Sequence, residues 1–269
     1  MHEKVPCDSQ PCRAVADRGI VGATDRGAEP VVRINCVMVS VVLLVRLMVT
    51  GNGAQRGSGS LLARVDHLVY ATPDMKIGID ALEQLLGVRA TPGGQHPGLG
   101  TRNALIALGP SSYIEVIGPD REQPEPKGPR RFGIDDLKAP KLLTWVAKGT
   151  QLERLAVNAK LHGVDLGDVT PGSRRRPDGV VLSWRYTDPN VVIADRLVPY
   201  FIDWGASPHP ALTAAKGASL LGLRAEHPDS PRVQKMLDQL GLDLPLQQGP
   251  KPVLIATVSS PKGRVELRN

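Results

Sequence analysis

Cysteine is confined to one end of this 269-residue chain: Cys7, Cys12 and Cys36 are the only three, and none follows. The body therefore has no disulfide framework and no thiolate metal site, and it suits a reducing cytoplasm. Aromatic residues make up only 3%, too few for a platform that stacks single-stranded nucleic acid. No apolar run is long enough to span a bilayer. The run INCVMVSVVLLV (34–45) is bounded by Arg33 and Arg46 and falls short of the roughly 20 residues a spanning helix needs. It also begins too far from Met1 for a signal peptide, so stable membrane insertion is not expected. The excess of basic over acidic residues is small as well. The formal net charge is +6, and the one compact basic run is SRRRP (173–177). A dedicated DNA-binding protein would carry a basic face or stripe; this chain has room for one anion-attracting spot.

What is present divides unevenly. Hydrophobic residues at 41% and charged residues at 22% are ordinary for a globular protein. Residues 1–60, polar and Gly-rich around the 34–45 run, read as an extension outside the fold, with Met48 as a natural alternative start. From Val65 the pattern becomes regular. VDHLVY (65–70) predicts a strand, and Asp74 caps a helix over 75–86 that closes at Gly87. The Gly/Pro-rich segment TPGGQHPGLGT (91–101) predicts a loop. NALIAL (103–108) and YIEVI (113–117) predict strands.

The same order recurs as strand 142–147, helix 151–162, and strands 180–186 and 197–204. A shorter third pass has strand 219–225, helix 230–240, and strands 253–258 and 264–267. The helices are too short and the strands too hairpin-like for Rossmann crossovers. The expected fold class is α+β, with curved antiparallel or mixed sheets and helices outside. The expected division is a paired domain over 61–205 and a third unit over 206–269 packed on it.

Asp66-His67 places an acid-base pair at the start of an apolar strand. His67 is either a chemical group aimed into a cavity or a polar residue on a wet face. The segments DHLVYATPD (66–74), LLGVRATPGGQHPGLGTRNALIALG (85–109), YIEVIGPD (113–120), PGSRRRPDGVVLSWRY (171–186), PYFIDWG (199–205) and GRVELR (263–268) resemble the vicinal oxygen chelate superfamily, in its glyoxalase-like branch. The resemblance covers about residues 63–269. It implies paired βαβββ modules forming a half-open curved sheet around a small-molecule cavity. Activity is not implied, because one fold hosts many reactions.

In that family a divalent metal is often held by a first-strand histidine and a last-strand carboxylate. The matching positions are His67, Glu115 and, in the second module, Asp203; the place matching His67 there holds Thr144. Strand alternation puts His67 between Val65 and Val69, and Glu115 between Tyr113 and Ile117, each on one face. A site of one imidazole and two carboxylates suits Mn, Fe or Mg better than Zn. A protein without any metal is equally compatible with the departure at Thr144. Glu115 or Asp203 could serve as a general base.

His96, Thr101 and Asn103 are candidate ligand contacts at the loop over the cavity. Arg176 is the candidate partner for an anionic group, and Trp184 and Trp204 flank the cavity strands, Trp184 as a candidate stacking surface. His227 and Glu266, in the third pass, read as structural. The expected function is a metal-assisted lyase, isomerase or oxygenase of a small anionic oxygenated molecule. The alternative is a metal-free binding or sequestering protein of the same fold. Such folds often pair as homodimers, and nothing in these residues requires it.

Overall fold

The computed structural model describes residues 58–269, so the three cysteines and the 34–45 run lie outside the described residues. The elements run in order α1 Ser58–Arg64, β1 Val65–Ala71, α2 Met75–Leu86, β2 Thr91–His96, β3 Thr101–Gly109, β4 Ser112–Pro119, β5 Lys141–Lys148, α3 Leu152–Leu161, β6 Thr170–Arg175, β7 Val181–Tyr186, β8 Tyr200–Asp203, β9 Ser219–His227, α4 Ser230–Gln239, β10 Leu246–Gln248, β11 Val253–Ser260 and β12 Gly263–Arg268. Local chemistry fixes the boundaries. Asp74 accepts from the backbone N–H groups of Lys76 and Ile77, and Gly87 takes a left-handed φ of 70° to end α2. Leu82 and Leu86 are the buried stripe of that helix.

The first eight strands form a barrel in the order β1-β4-β3-β2-β6-β7-β8-β5. It has two equivalent halves: β1 lies parallel to β4, β5 lies parallel to β8, and the other neighbours within each half are antiparallel. The halves join where β1 meets β5 antiparallel. On the opposite side they join through one pair, Gln95 with Arg175. The barrel is therefore closed, not half-open.

The two strands that close it are the ones the sequence hides. β2 reads TPGGQH and β6 reads TPGSRR, and Pro and Gly in such runs argue for turns. Here each strand stands at the margin of its own half, where a missing N–H is tolerated, and β2 slips register between Pro92 and Gly94.

The third pass keeps the order strand, helix, strands but is wired differently. Its sheet runs β10-β9-β11-β12, with β9 parallel to β10 and antiparallel to β11. The first strand no longer pairs with the last. This sheet and α4 share one core with the outer face of the barrel, from Ile114, Trp145 and Leu82 across to Leu223, Leu237 and Leu254.

Candidate functional site

Inside the barrel lies a cavity of about 550 Å³ whose walls include His67, His96, Thr101, Asn103, Glu115, Arg131, Phe132, Arg174, Trp184, Tyr200 and Trp204, within the usual range for a small-molecule site. Alternation along β4 sends Tyr113, Glu115 and Ile117 inward, and β8 sends Tyr200 and Ile202 inward.

His67 occupies the floor and is 2% exposed. Its ring stacks on Tyr113 at 4.6 Å between centroids. Nδ1 lies 2.7 Å from Asp66 Oδ1, while Nε2 lies 3.4 Å from the Tyr200 hydroxyl and 3.7 Å from Glu115 Oε2. Neighbouring side chains on a strand normally point apart; the register shift against β5 between Val65 and His67 lets this pair meet. Asp66 is 1% exposed and is also reached by Trp204 Nε1 at 3.1 Å and His209 Nε2 at 3.2 Å. Burial works against its charge, but the hydrogen bonds from His209 and His67 outweigh it and hold Asp66 at about 2. The ionised carboxylate accepts a hydrogen bond from Nδ1–H, and in the neutral imidazole that tautomer turns the Nε2 lone pair toward the cavity.

Glu115 is reached from the other side. Asn103 Nδ2 donates to its Oε1 at 2.6 Å and stands 3.3 Å from His96 Nε2. His96 Nδ1 is 3.0 Å from Thr101 Oγ1. Burial pushes the His96 imidazole down to about 4, against the pull of the Glu115 carboxylate, so the ring is neutral near pH 7 and can accept at Nε2. Burial also raises the Tyr113 and Tyr200 phenols well above their ordinary value; both stay protonated.

Of the residues singled out from sequence, His67, His96, Thr101, Asn103, Glu115 and Trp184 line one cavity. His96 is not in a loop over the cavity but at the end of β2, buried in the wall. Asp203 stands apart: it follows the inward Ile202, pairs across to Arg185, and accepts from the backbone N–H of Gly205 at 2.9 Å. Arg176 also stands apart, with its guanidinium on Asp178. Arg174, two residues earlier on β6, enters the cavity instead. On β5, Val146 is opposite His67, and Thr144 is opposite Val69 with its hydroxyl on the Arg196 carbonyl. Arg174, Arg131, Phe132 and Tyr200 also line the cavity and His209 reaches Asp66 behind it, five residues that were not legible as site residues in the sequence. For Arg174 and Tyr200 the signal is strand alternation once β6 and β8 have the right bounds. Arg131, Phe132 and His209 come from irregular segments that carry no local pattern.

The donors present do not fit the divalent metal that the fold family often holds. His67 and Glu115 converge, but Asp203 does not join them, and the second half contributes Val146 and Ile202 instead. The lone pairs of Glu115 Oε1 and His96 Nε2 both face the Asn103 amide N–H₂, a donor where a cation would need acceptors. Among the described residues no three His, Cys, Asp or Glu side chains are grouped to hold an ion.

A family model for the glyoxalase-like domain matches residues 65–241. No curated protein matches the chain. Among solved structures the chain is similar to a hypothetical protein from Staphylococcus aureus, at TM-score 0.48 and 13% identity, covering 76% of this chain and 84% of that one. It is similar also to methylmalonyl-CoA epimerase from Mycobacterium tuberculosis, at TM-score 0.35 and 17% identity, covering 54% of this chain and 90% of that one. The eight-stranded barrel with its inward His67 and Glu115, and a family match spanning most of both halves, place the chain in the glyoxalase-like domain family of the vicinal oxygen chelate superfamily.

Proposed function

We propose that this protein is an enzyme of the lyase or isomerase type. It moves a proton at a carbon beside a carbonyl or carboxyl group of a small oxygenated anion. The observation that carries the reading is Glu115: a carboxylate on a barrel wall, 7% exposed, held on one oxygen by Asn103 and facing His67 with the other. Asn103 fixes the orientation of the base, and the cavity shields it from bulk water. Glu115 Oε2 takes the proton from carbon, and the bonding electrons pass onto the adjacent oxygen as an enolate. The Tyr200 hydroxyl donates to the developing oxyanion. The proton returns to carbon on the other side in an isomerisation, or to a leaving group in an elimination. His67 Nε2, an acceptor because Nδ1–H donates to Asp66, loses its contact with the Tyr200 hydroxyl as that hydroxyl turns to the oxyanion, and accepts the proton from Glu115 between these steps.

The test is solvent deuterium wash-in, followed by NMR, at the carbon beside the carbonyl in a panel of 2-oxo and 2-hydroxy acids. Wild-type protein exchanges at least one of them, and Glu115→Gln slows that exchange by about a hundredfold or more. No exchange across the panel, or exchange untouched in Glu115→Gln, overturns the reading. A measured turnover also separates this function from sequestration by the same fold.

A further inference from the structure

Most arginines around the barrel mouth already have a carboxylate. Arg130 pairs with Glu125 and Asp135, Arg102 with Asp120 and Glu122, and Arg176 with Asp178. Among the described residues, two arginines on the cavity wall have none. Arg174 is 3% exposed, and its one protein acceptor among the described residues is the Gly93 carbonyl. A guanidinium has five N–H donors, so most of those on Arg174 are left to the cavity. Burial works against its charge and the Glu115 carboxylate offsets that only in part; a buried cation without a hydrogen-bonded anion is costly. Arg131 lies across from it on the segment joining β4 to β5. Its guanidinium donates to the Tyr186 hydroxyl and sits 4.9 Å from the centre of the Tyr186 ring. That contact leaves it oriented and without a carboxylate.

We infer that Arg174 and Arg131 form an oxyanion clamp that holds the head group of the substrate, a carboxylate or a phosphate, while its reacting carbon lies at Glu115. Both arginines and Glu115 line the same cavity, and a fork of N–H donors suits a head with two or more equivalent oxygens. The inference deepens the proposed function by naming the charged part of the substrate, and it rests on that reading only for where the reacting carbon sits.

The experiment reads occupancy without turnover. The full chain is titrated with acetate, with inorganic phosphate and with neutral acetamide, following the tryptophan fluorescence to which Trp184 and Trp204 in the cavity wall contribute. At least one anion gives a saturable change and acetamide gives none; which anion binds more tightly assigns the head group. Arg174→Gln weakens that binding about tenfold or more, and Arg131→Gln weakens it by a smaller factor. Arg174→Lys, which keeps a cation, falls between wild type and Arg174→Gln, which separates loss of charge from loss of fold. Arg176→Gln leaves binding unchanged. No saturable response to either anion, an equal response to acetamide, or a response intact in Arg174→Gln overturns the clamp. Glu115→Gln keeps anion binding, so failure of the proton-transfer reading and failure of the clamp are told apart.

Discussion

Which nitrogen of His67 carries the hydrogen is set by its neighbours rather than by its own strand. His209 Nδ1 accepts from the backbone N–H of Ala211, so its Nε2 carries the proton that reaches Asp66. Trp204 adds a second donor. The ionised Asp66 then orients His67, and neutral His96 receives Asn103 on the other side of Glu115. This arrangement dictates an acid response. The folded value of His96 is about 4 against 6.5 when free, so its contribution is complete above pH 6.5 and is lost as pH falls toward 4. Asp66 sits at about 2 against 3.8, so its contribution is complete above 3.8 and is lost on the way down to 2. The His96 contribution is on the order of 3 kcal/mol and that of Asp66 on the order of 2 kcal/mol. The melting temperature therefore falls in two stages, between pH 7 and 4 and again below 4. In His96→Gln the first stage flattens and the second stays. A profile in which His96→Gln falls as wild type does between pH 7 and 4 would show that burial of this ring does not govern the first stage. His67 and Glu115 were legible in sequence because the resemblance marks a first-strand histidine and a last-strand carboxylate, and alternation puts each on one face of its strand. His209 and Arg131 were not, because nothing in an irregular segment says which cavity it will border.

The strands that close the barrel show how a glycine can serve a carboxylate at one remove. Gly93 has an ordinary negative-side backbone, yet a Cβ there would stand 2.1 Å from Asn103 Oδ1 and 3.2 Å from the Leu105 side chain. Asn103 Oδ1 is also a buried acceptor without a partner, pressed against the space that Gly93 leaves open. Glu115 is aimed by Asn103, so a methyl group at position 93 rotates the amide away and releases the carboxylate. Gly93→Ala should cost about 1–3 kcal/mol as overpacking and reduce Glu115-dependent deuterium exchange. Gly222→Ala on β9, where nothing lies within 4 Å, should leave both unchanged. Exchange at the wild-type rate in a folded Gly93→Ala protein would break the link between this glycine and the base. The helices and most of the strands were readable in sequence, but the pairing was not. Thr-Pro-Gly begins both β2 and β6, and its turn-like composition masks two strands whose ladder pairing to each other is a single residue pair. The missing wall strand was also what put Arg176, rather than Arg174, forward as the cavity arginine.

At the scale of the whole molecule, the barrel owes its outer wall to the C-terminal sheet. Ile114 and Trp145 point out of the barrel into a core completed by Leu223, Val233, Leu237, Leu254 and Val258. The connecting segment is stitched to the barrel as well, where Ala107 N–H donates to the Ala215 carbonyl at 2.7 Å, and it carries His209 to Asp66. Each large buried side chain contributes about 1.5–3 kcal/mol, while an entire domain is stable by only about 5–15 kcal/mol. Losing the five apolar partners named from β9, α4 and β11 is therefore enough to unfold the barrel. The full chain should melt in one cooperative transition, coincident by far-ultraviolet circular dichroism and by tryptophan fluorescence. A chain ending at Ala218 keeps all eight barrel strands and His209 but lacks this cover, and it should fail to show native fluorescence or a cooperative melt. Two separate transitions in the full chain, or a cooperatively folded barrel ending at Ala218, would mean that the barrel stands on its own. In that case the His209–Asp66–His67 contacts would not depend on the C-terminal sheet at all.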